Sequence, residues 1–394
     1  MADLLPVVEA QARLFALATT VDRETLPLLQ AAGRWTAAPV HAVRDQPFAD
    51  LSAMDGYALR FADLDRPLKV IGESAAGRGF FGSVSAGEAV RIFTGAPVPK
   101  GADIILVQEE AAREGDTLTL NGEGPPGIGA HIRPRAQDFS AGAQILAAGA
   151  KLTPAAIGLA AAAGHGALPV GRAIRVTIVS TGDELVPAGS QVTDAQLPSA
   201  NAPMLMALLA DLPVTIIDGG IVPDDLAAMT AVFAALDADI IVTTGGASVG
   251  DHDLVRPALL AAGGSLDFWK IAMRPGKPLL AGRLGGAVVL GLPGNPVSAF
   301  VTAMLFLRPL IAHLSGAADP LPRRLSATLA HPLAANGPRE DYIRARITPN
   351  GLDAYPMQDS GMLAALAGSD ALIVSPIGAP AAAQGDIAEY LPLA

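Results

Sequence analysis

The chain has 394 residues, of which 51% are hydrophobic and 4% aromatic, and it contains no cysteine. A chain of this length exceeds one ordinary hydrophobic core, so we expect several domains. The lack of cysteine excludes a disulfide framework, a thiolate metal site and a cysteine nucleophile. The formal net charge of −11 argues against nucleic acid or an anionic membrane as partner, because both attract a positive field.

Targeting signals are absent from the sequence pattern. The N-terminus lacks the basic and apolar regions of a signal peptide. The most apolar stretches, around Ile157–Ala163 and Val301–Leu307, are shorter than the ~20 residues of a membrane-spanning helix. We therefore expect a cytoplasmic protein with no membrane segment.

The first 170 residues predict a mainly β domain inserted into a split helical linker domain. Residues 44–135 are rich in glycine and proline and carry short β-like runs, Ala89–Phe93 and Ile104–Val107. The flanking residues 1–43 and 136–170 contain two stretches with a helical pattern, Val7–Arg34 and Thr153–Ala163.

Residues 171–317 alternate strand patterns with helical patterns. Ile174–Ser180 is a β-branched apolar run, typical of a strand buried on both faces. The other predicted strands are Val214–Ile217, Ile240–Thr244 and Val288–Leu292; the predicted helices are Asn201–Ala210, Asp224–Leu236, Leu254–Ala262 and Pro296 to about Arg308. This alternation predicts a doubly wound α/β domain with a parallel sheet and right-handed crossovers.

Residues 318–394 form a second β-rich module, with short alternating stretches at Tyr342–Ile347 and Ala371–Ser375. The fold class predicted for the whole chain is therefore multidomain, α/β plus β.

Loops rich in glycine and charged residues follow the predicted strands of the α/β domain. Ligands bind at the carboxyl ends of the strands in an open parallel sheet, so we expect several of these loops to line one crevice. They are Thr181–Glu184, Asp218–Gly220, Gly245–Asp253, Arg274–Pro278 and Gly291–Pro296.

Gly291–Pro296 is the best local candidate for an anion site. Asn295 can cap the following helix, Pro296 suits its first position, and Gly294 lets the backbone approach a ligand. Such a helix start offers free N–H donors to a phosphate. The alternative is an ordinary strand-to-helix turn.

Charged side chains cluster in three of the other loops. Lys270, Arg274 and Lys277 surround a rigid turn and predict a phosphate or oxyanion clamp, with a solvated basic turn as the alternative. Carboxylates near a phosphate commonly hold Mg²⁺, and those predicted to share the crevice are Glu184, Asp251 and Asp253. Helix capping is the competing interpretation for each acid alone.

A serine hydrolase is a further alternative, because Gly246–Gly250 matches the G-x-S-x-G motif around Ser248. That class needs a helix directly after the serine and a suitably placed later histidine. An acidic loop intervenes here, and the later histidines, His313 and His331, follow no predicted strand. We therefore disfavour this class.

Six motifs occur in a fixed order along the chain. They are SAMDGYA at Ser52–Ala58, a TGA segment at Phe93–Ala96, STGDEL at Ser180–Leu185, GGxSxGxxD within Thr244–Asp253, FWKxxxxPGKP at Phe268–Pro278 and LPGNPVSA at Leu292–Ala299. In this order they resemble the molybdopterin molybdenumtransferases, the family related to the gephyrin E domain. Arg339–Arg344 and Asp359–Leu363 resemble its last domain more loosely.

The resemblance implies a four-part subunit: split linker, inserted β domain, pterin-binding α/β domain and C-terminal β-barrel. It also implies a homodimer whose cleft lies between the α/β domain of one subunit and the β domain of the other. The implied reaction joins molybdate to adenylyl-molybdopterin with release of AMP and a requirement for Mg²⁺. Candidate partners are a molybdopterin adenylyltransferase and cofactor-free molybdoenzymes.

The resemblance assigns roles to individual residues. The implied catalytic residues are Asp55 and Thr94, from the partner subunit, with Glu184 and Asp253; Glu184, Asp251 and Asp253 are also the implied metal ligands. The residues expected to contact substrate are Gly182, Asp183, Gly245, Gly246, Ser248, Lys270, Arg274, Lys277, Gly294, Asn295, Pro296, Arg344 and Ser360. Arg274 departs from the family, many members of which carry lysine there.

Two alternatives within this chemistry stay open. A molybdopterin adenylyltransferase shares the α/β domain but has no place for the SAMDGYA-bearing unit. A gephyrin-like scaffold would tolerate loss of the site acids, which this chain retains. Preference for molybdate over tungstate does not follow from these residues.

Overall fold

A six-stranded mixed sheet organises the α/β domain in the computed structural model, which describes residues 4–245 and 254–393. Its strands lie in the order Val214–Val222, Ile174–Thr181, Ile240–Thr244, Ala287–Leu292, Pro278–Leu284 and Ser265–Lys270. The first four pair in parallel, as predicted. Two further strands that were not predicted extend the sheet in antiparallel pairing, the first through a hairpin with the two-residue turn Gly285–Gly286.

Helices cover both faces of this sheet, which makes it doubly wound. One face packs Asn201–Leu208 and the run Pro296–Leu314, and the other packs Leu226–Ala235 and Val255–Ala261. Asp225 caps its helix, accepting the Ala228 N–H at 2.7 Å.

The helical run Pro296–Leu314 extends beyond its predicted end near Arg308. Its central part, Ala303–Leu307, is π-helical, and the helix continues past Pro309 after this wider turn. The run is long and apolar enough to cross a membrane, but 83% of its most apolar window is buried inside the protein. It therefore serves as a core helix of this domain.

A second six-stranded sheet forms the β domain. Its strands lie in the order Ile104–Val107, Gly56–Leu59, Glu88–Ile92, Leu68–Ser74, Thr117–Leu120 and Ala111–Glu114. The pairing is antiparallel except between Leu68–Ser74 and Glu88–Ile92. Two single 3₁₀ turns, Phe61–Asp63 and Gln108–Glu110, and a short ribbon of Leu51–Ser52 with Ile132–Arg133 complete it.

The segments on either side of the β domain pair with each other as antiparallel ribbons. Arg23–Pro27 pairs with Ala167–Gly171, and Val40–His41 pairs with Gln144–Leu146. Helix Pro154–Ala162 begins where Thr153 accepts the Ala156 N–H at 3.2 Å.

The helical prediction for Val7–Arg34 holds only for Val7–Ala16 and Leu28–Ala31. The structure has a helix at Val7–Ala16, a strand at Arg23–Pro27 and one short helix at Leu28–Ala31. Threonine and valine at 19–21 and proline at 27 disfavour a continuous helix. The first helix packs on the α/β core through Val7, Ala10 and Leu14.

The C-terminal strands close into a barrel. They are Leu325–Thr328, Glu340–Thr348, Gly351–Ala354, Ala371–Ser375 and Ile387–Pro392, with one short helix at Leu363–Ala367. Four pairs of neighbouring strands are antiparallel. The fifth pair, Leu325–Thr328 beside Gly351–Ala354, is joined by a bridge between Leu329 and Leu352, which closes the ring. Met273–Arg274 pairs with the start of Glu340–Thr348 and ties the barrel to the α/β domain. The predicted fold class is confirmed, whereas the residue limits of the four parts stay a prediction.

Candidate active site

A cleft of about 540 Å³ opens at the carboxyl ends of the parallel strands. Three of the loops predicted to share a crevice meet there, those after Ile174–Thr181, Ile240–Thr244 and Ala287–Leu292. The segment Leu197–Asn201 and Asp224 supply the remaining wall, with Pro278. Ligands of open parallel sheets bind at this edge.

Glycines let these loops approach one another closely at the base of the cleft. Gly182 and Gly245 have φ values of +143° and +96°, which side-chain-bearing residues rarely adopt. A Cβ on Gly245 would lie 2.5 Å from the carbonyl oxygen of Thr181, and a Cβ on Gly294 would lie 3.6 Å from the Gly245 Cα. Three backbones therefore share one small space beneath the cleft.

The start of helix Pro296–Thr302 differs from its prediction. Asn295 does not cap the helix with its side chain; its Nδ2 donates to Ser360 Oγ at 2.9 Å. The Val297 N–H donates to the Ser360 carbonyl at 3.1 Å. The C-terminal module therefore occupies donors that the sequence pattern offered to an anion.

Polar groups missed by sequence reasoning line the inner wall of the cleft. The Thr244 and Ser199 hydroxyls lie 3.4 Å from Ser180 Oγ, and all three residues are buried. Asn201 donates from Nδ2 to the Gly294 carbonyl at 2.8 Å, while its buried Oδ1 has no hydrogen-bond partner in the described chain. Buried polar atoms are normally paired, so this oxygen is an unused acceptor beside the cleft.

Two exposed carboxylates, Glu184 and Asp224, line the cleft. Asp183 accepts the Asp224 N–H at 3.0 Å. The sequence pattern predicts a helix from Asp224, but the helix begins at Leu226 after its cap, Asp225, which leaves Asp224 in the wall of the cleft. In the sequence, the adjacent acids Asp224 and Asp225 are the feature that indicates this position.

The predicted metal site falls partly outside the described residues. Gly246, Ser248, Asp251 and Asp253 lie in the undescribed range 246–253. Within 4–245 and 254–393, no group of three or more histidine or acidic side chains could hold a metal ion. Glu184 is the one predicted ligand that the structure places in the cleft.

The predicted cation clamp is not part of the cleft lining, to which its motif contributes only Pro278. Arg274 forms an ion pair with Asp341, whose side chain is 6% exposed. Lys277 is exposed and Lys270 half-buried, and their turn closes through the Ile271 N–H and the Lys277 carbonyl at 3.0 Å. Arg274 therefore holds the barrel against the α/β domain.

Arg344, which the resemblance implies as a substrate contact, lies instead inside the protein. It is 1% exposed, and its guanidinium donates to the carbonyls of Asp359, Met362 and Met357 at 2.8, 2.9 and 3.3 Å. Burial lowers its pKa, against the opposing effect of nearby Asp359. Its donors are used inside the loop that carries Ser360.

Asp55 and Thr94 form a compact pair on the β domain. The Thr94 N–H and Oγ1 both donate to Asp55 Oδ1, at 2.7 and 2.8 Å. The Thr94 amide, then its hydroxyl, hold the pKa of Asp55 below its ordinary value, with a smaller effect of Arg91. Neither residue lines the cleft of its own chain.

The later histidines lie away from the cleft lining. His313 stacks on Phe15 with ring centroids 4.7 Å apart, and His331 is exposed beside Asp353. Neither histidine contributes to the lining of the cleft, and Ser248 lies outside the described residues.

Three family models together match most of the chain. Residues 5–164 match the MoeA N-terminal region (domain I and II), residues 177–313 match a probable molybdopterin binding domain, and residues 326–393 match the MoeA C-terminal region (domain IV).

Individual relatives give the same result. The chain is 40% identical to a molybdopterin molybdenumtransferase of Haemophilus influenzae, over 74% of this chain and 73% of that one. It is 37% identical to molybdopterin molybdenumtransferase 2 of Mycobacterium tuberculosis, over 82% of both. A solved molybdopterin biosynthesis moeA protein from Pyrococcus horikoshii OT3 is 27% identical, with a TM-score of 0.85 over 99% of this chain and 100% of that one.

Proposed function

Because the chain belongs to the molybdopterin molybdenumtransferase family, we propose that it inserts molybdate into adenylyl-molybdopterin and releases AMP. The observation that carries the proposal is the glycine-floored cleft at the carboxyl ends of the parallel strands. Backbone amides at strand ends and helix starts of such a cleft suit a ligand that carries a phosphoanhydride.

In this reaction the two dithiolene thiols give up their protons and bind molybdenum, one molybdate oxygen leaves with these protons as water, and one water adds across the phosphoanhydride to release AMP, so no net water is consumed. The cleft residues hold the substrate during these changes. The Asn201 Oδ1 and the hydroxyls of Ser199 and Thr244 can bond polar groups of the ligand, and the glycine turns let phosphate oxygens reach backbone amides. Fixed donors of this kind stabilise charge that develops on an anhydride.

The donor set of the cleft fits Mg²⁺, an oxygen-binding cation that keeps several waters. Glu184 and Asp224 would hold it, together with the unpartnered Asn201 Oδ1, and the predicted ligands Asp251 and Asp253 lie outside the described residues. When bound, Mg²⁺ supplies positive charge to the phosphoanhydride oxygens. Lys270 and Lys277 remain candidate cations for molybdate.

We also propose that the enzyme works as a cytoplasmic homodimer. Asp55 and Thr94 are outside the cleft of their own chain, so a second copy is the natural source of this pair. A molybdopterin adenylyltransferase would deliver the substrate, and cofactor-free molybdoenzymes would receive the product.

The test is to offer the purified protein two reactions separately. One mixture contains molybdopterin, ATP and Mg²⁺; the other contains adenylyl-molybdopterin, molybdate and Mg²⁺. We expect product that activates a cofactor-free molybdoenzyme only in the second mixture. Adenylylation in the first would identify an adenylyltransferase, and tight binding without turnover in either would identify a scaffold.

A further inference from the structure

Arg91 occupies the middle of the β domain surface that carries Asp55 and Thr94. It lies directly across from Tyr57 in the antiparallel pairing of Glu88–Ile92 with Gly56–Leu59. Its guanidinium carbon is 5.1 Å from the Tyr57 ring centroid and 4.7 Å from the Phe93 ring centroid. A planar cation held over two rings has little freedom to reorient.

The guanidinium also fixes the main chain of the SAMDGYA turn. Its Nη1 donates to the Gly56 carbonyl at 3.0 Å, and its Nη2 donates to Gln108 Oε1 at 2.7 Å. The Gln108 N–H in turn donates to the Asp55 carbonyl at 3.0 Å. The Gln108 N–H therefore holds the Asp55 carbonyl, and the Arg91 guanidinium holds the next carbonyl, that of Gly56.

The Asp55 side chain is held from the opposite direction, by the amide and hydroxyl of Thr94. The carboxylate can keep this bond only while its own main chain stays in place. We propose that Arg91 is a positioning residue of the reaction, which fixes the Asp55–Gly56 turn so that the Asp55 carboxylate and Thr94 hydroxyl meet substrate in one arrangement. The inference rests on the function proposed above, since it takes this pair as part of the catalytic site.

The charge of Arg91 has a second, separable effect. It adds to the influence of Thr94 in lowering the pKa of Asp55. Loss of the charge should therefore raise the pKa of Asp55 and move the acidic limb of the pH–rate profile to higher pH. The other titratable or charged groups on the elements around Arg91 are Tyr57, Lys69, Glu73 with its partner Arg78, Glu88, Glu109 and Glu110.

Three variants separate geometry from charge. Arg91→Lys keeps the charge but loses the planar fork, Arg91→Met loses both, and Arg113→Met removes the same charge from the far edge strand Ala111–Glu114. We expect kcat for AMP release to fall about 10-fold in R91K and about 100-fold in R91M, with KM unchanged, because misplaced groups cost rate more than binding. The acidic limb should move only in R91M, and R113M should match the wild type.

A second readout does not depend on activity. The Asp55 carboxyl carbon is titrated by ¹³C NMR in the wild type and R91M, with Asp55→Asn to assign the signal, and folding is checked by circular dichroism. A higher pKa in R91M supports the inference. A wild-type kcat in R91K, or an unchanged Asp55 titration in folded R91M, would overturn it. If the wild type releases no AMP, the proposed function fails separately, and the titration still decides the role of Arg91.

Discussion

At the scale of single residues, the base of the cleft depends on a position that tolerates no side chain. Gly245 has a φ of +96°, and an added Cβ would meet the Thr181 carbonyl oxygen at 2.5 Å. We expect Gly245→Ala to cost about 2 kcal/mol or more of unfolding free energy, through backbone strain and the clash. AMP release should fall as well, because relief of the clash moves the Gly245 loop towards the space for the ligand.

Gly286→Ala is the matched control for this change, because an added Cβ there meets nothing within 4 Å. Its unfolding free energy should stay within about 0.5 kcal/mol of the wild type. Denaturant unfolding and AMP release measure both variants. Equal stability and turnover in G245A and G286A would show that the base of the cleft has room to spare.

At the scale of elements, Arg344 holds the loop that brings Ser360 to the helix start at Pro296. Its guanidinium satisfies three carbonyls of that loop from a buried position. Lysine cannot reach all three, so we expect Arg344→Lys to cost about 2–4 kcal/mol of unfolding free energy. Arg346→Lys, on an exposed ion pair with Asp353 at 3.1 Å, should change stability little.

The same pair of variants separates structure from substrate binding. If Arg344 were an oxyanion contact, R344K would keep its thermal midpoint and raise only the KM for molybdate. We expect the midpoint to fall instead, and thermal unfolding without substrate measures it.

A second element-scale feature joins the starts of two neighbouring strands of the α/β sheet, Ile174–Thr181 and Ile240–Thr244. Asp239, 13% exposed, accepts both Arg172 Nη1 and Nη2, at 2.7 and 2.8 Å, and the Arg175 N–H at 2.8 Å. Burial alone would raise the pKa of Asp239, but the bonds from Arg172 and Arg175 outweigh it and lower that pKa. The stabilisation is therefore present above the unfolded pKa of about 3.9 and is lost as the pH falls through the folded value.

We expect Asp239→Asn to cost about 2 kcal/mol of unfolding free energy at pH 7. The difference in unfolding free energy between this variant and the wild type should become smaller as the pH drops below about 4. Asp237→Asn is the control, because Asp237 is 85% exposed although it also pairs with Arg175. Denaturant unfolding from pH 7 to pH 3 checks this; a gap that does not vary with pH would refute the assignment.

The local sequence pattern predicts the alternating strands and helices of the α/β domain. It fails where residues distant in the sequence form the contacts. The β-branched runs at Ile174 and Ile240 identified the parallel strands, because such runs need burial on both faces. Asn295 should cap its helix by local rules, yet Ser360, 65 residues away, takes its amide. The resemblance of Arg339–Arg344 to the last domain of the family drew attention to Arg344, but no local pattern shows that three carbonyls surround its guanidinium.

At the scale of the whole molecule, the separation of Asp55 from the cleft of its own chain makes a prediction about two copies. Asp55→Asn and Glu184→Gln should each lower activity at least about 100-fold alone, because each removes a charged group from the reacting site. Glu184 is exposed and Asp55 is half-buried, so neither change should prevent folding. Mixed dimers of the two variants should regain activity, since one of their two clefts combines wild-type parts from both chains.

The measurement uses differently tagged copies, co-expressed and purified in two steps to isolate the mixed dimer. We expect about half the wild-type AMP release per dimer if the two clefts act independently. Asp267→Asn on the edge strand Ser265–Lys270 serves as the charge control and should be active by itself. A mixed dimer as inactive as either parent would place both acids in one chain's site.

In the proposed reaction, each pterin in the cleft loses AMP and gains one molybdenum. The most direct measurement is the stoichiometry of a single turnover: AMP released and molybdenum retained by the pterin, from adenylyl-molybdopterin with Mg²⁺, with and without molybdate. We predict one molybdenum retained for each AMP released, with E184Q doing neither. AMP release at the same rate without molybdenum retention would contradict the account, because the protein would then be a hydrolase of the adenylated pterin.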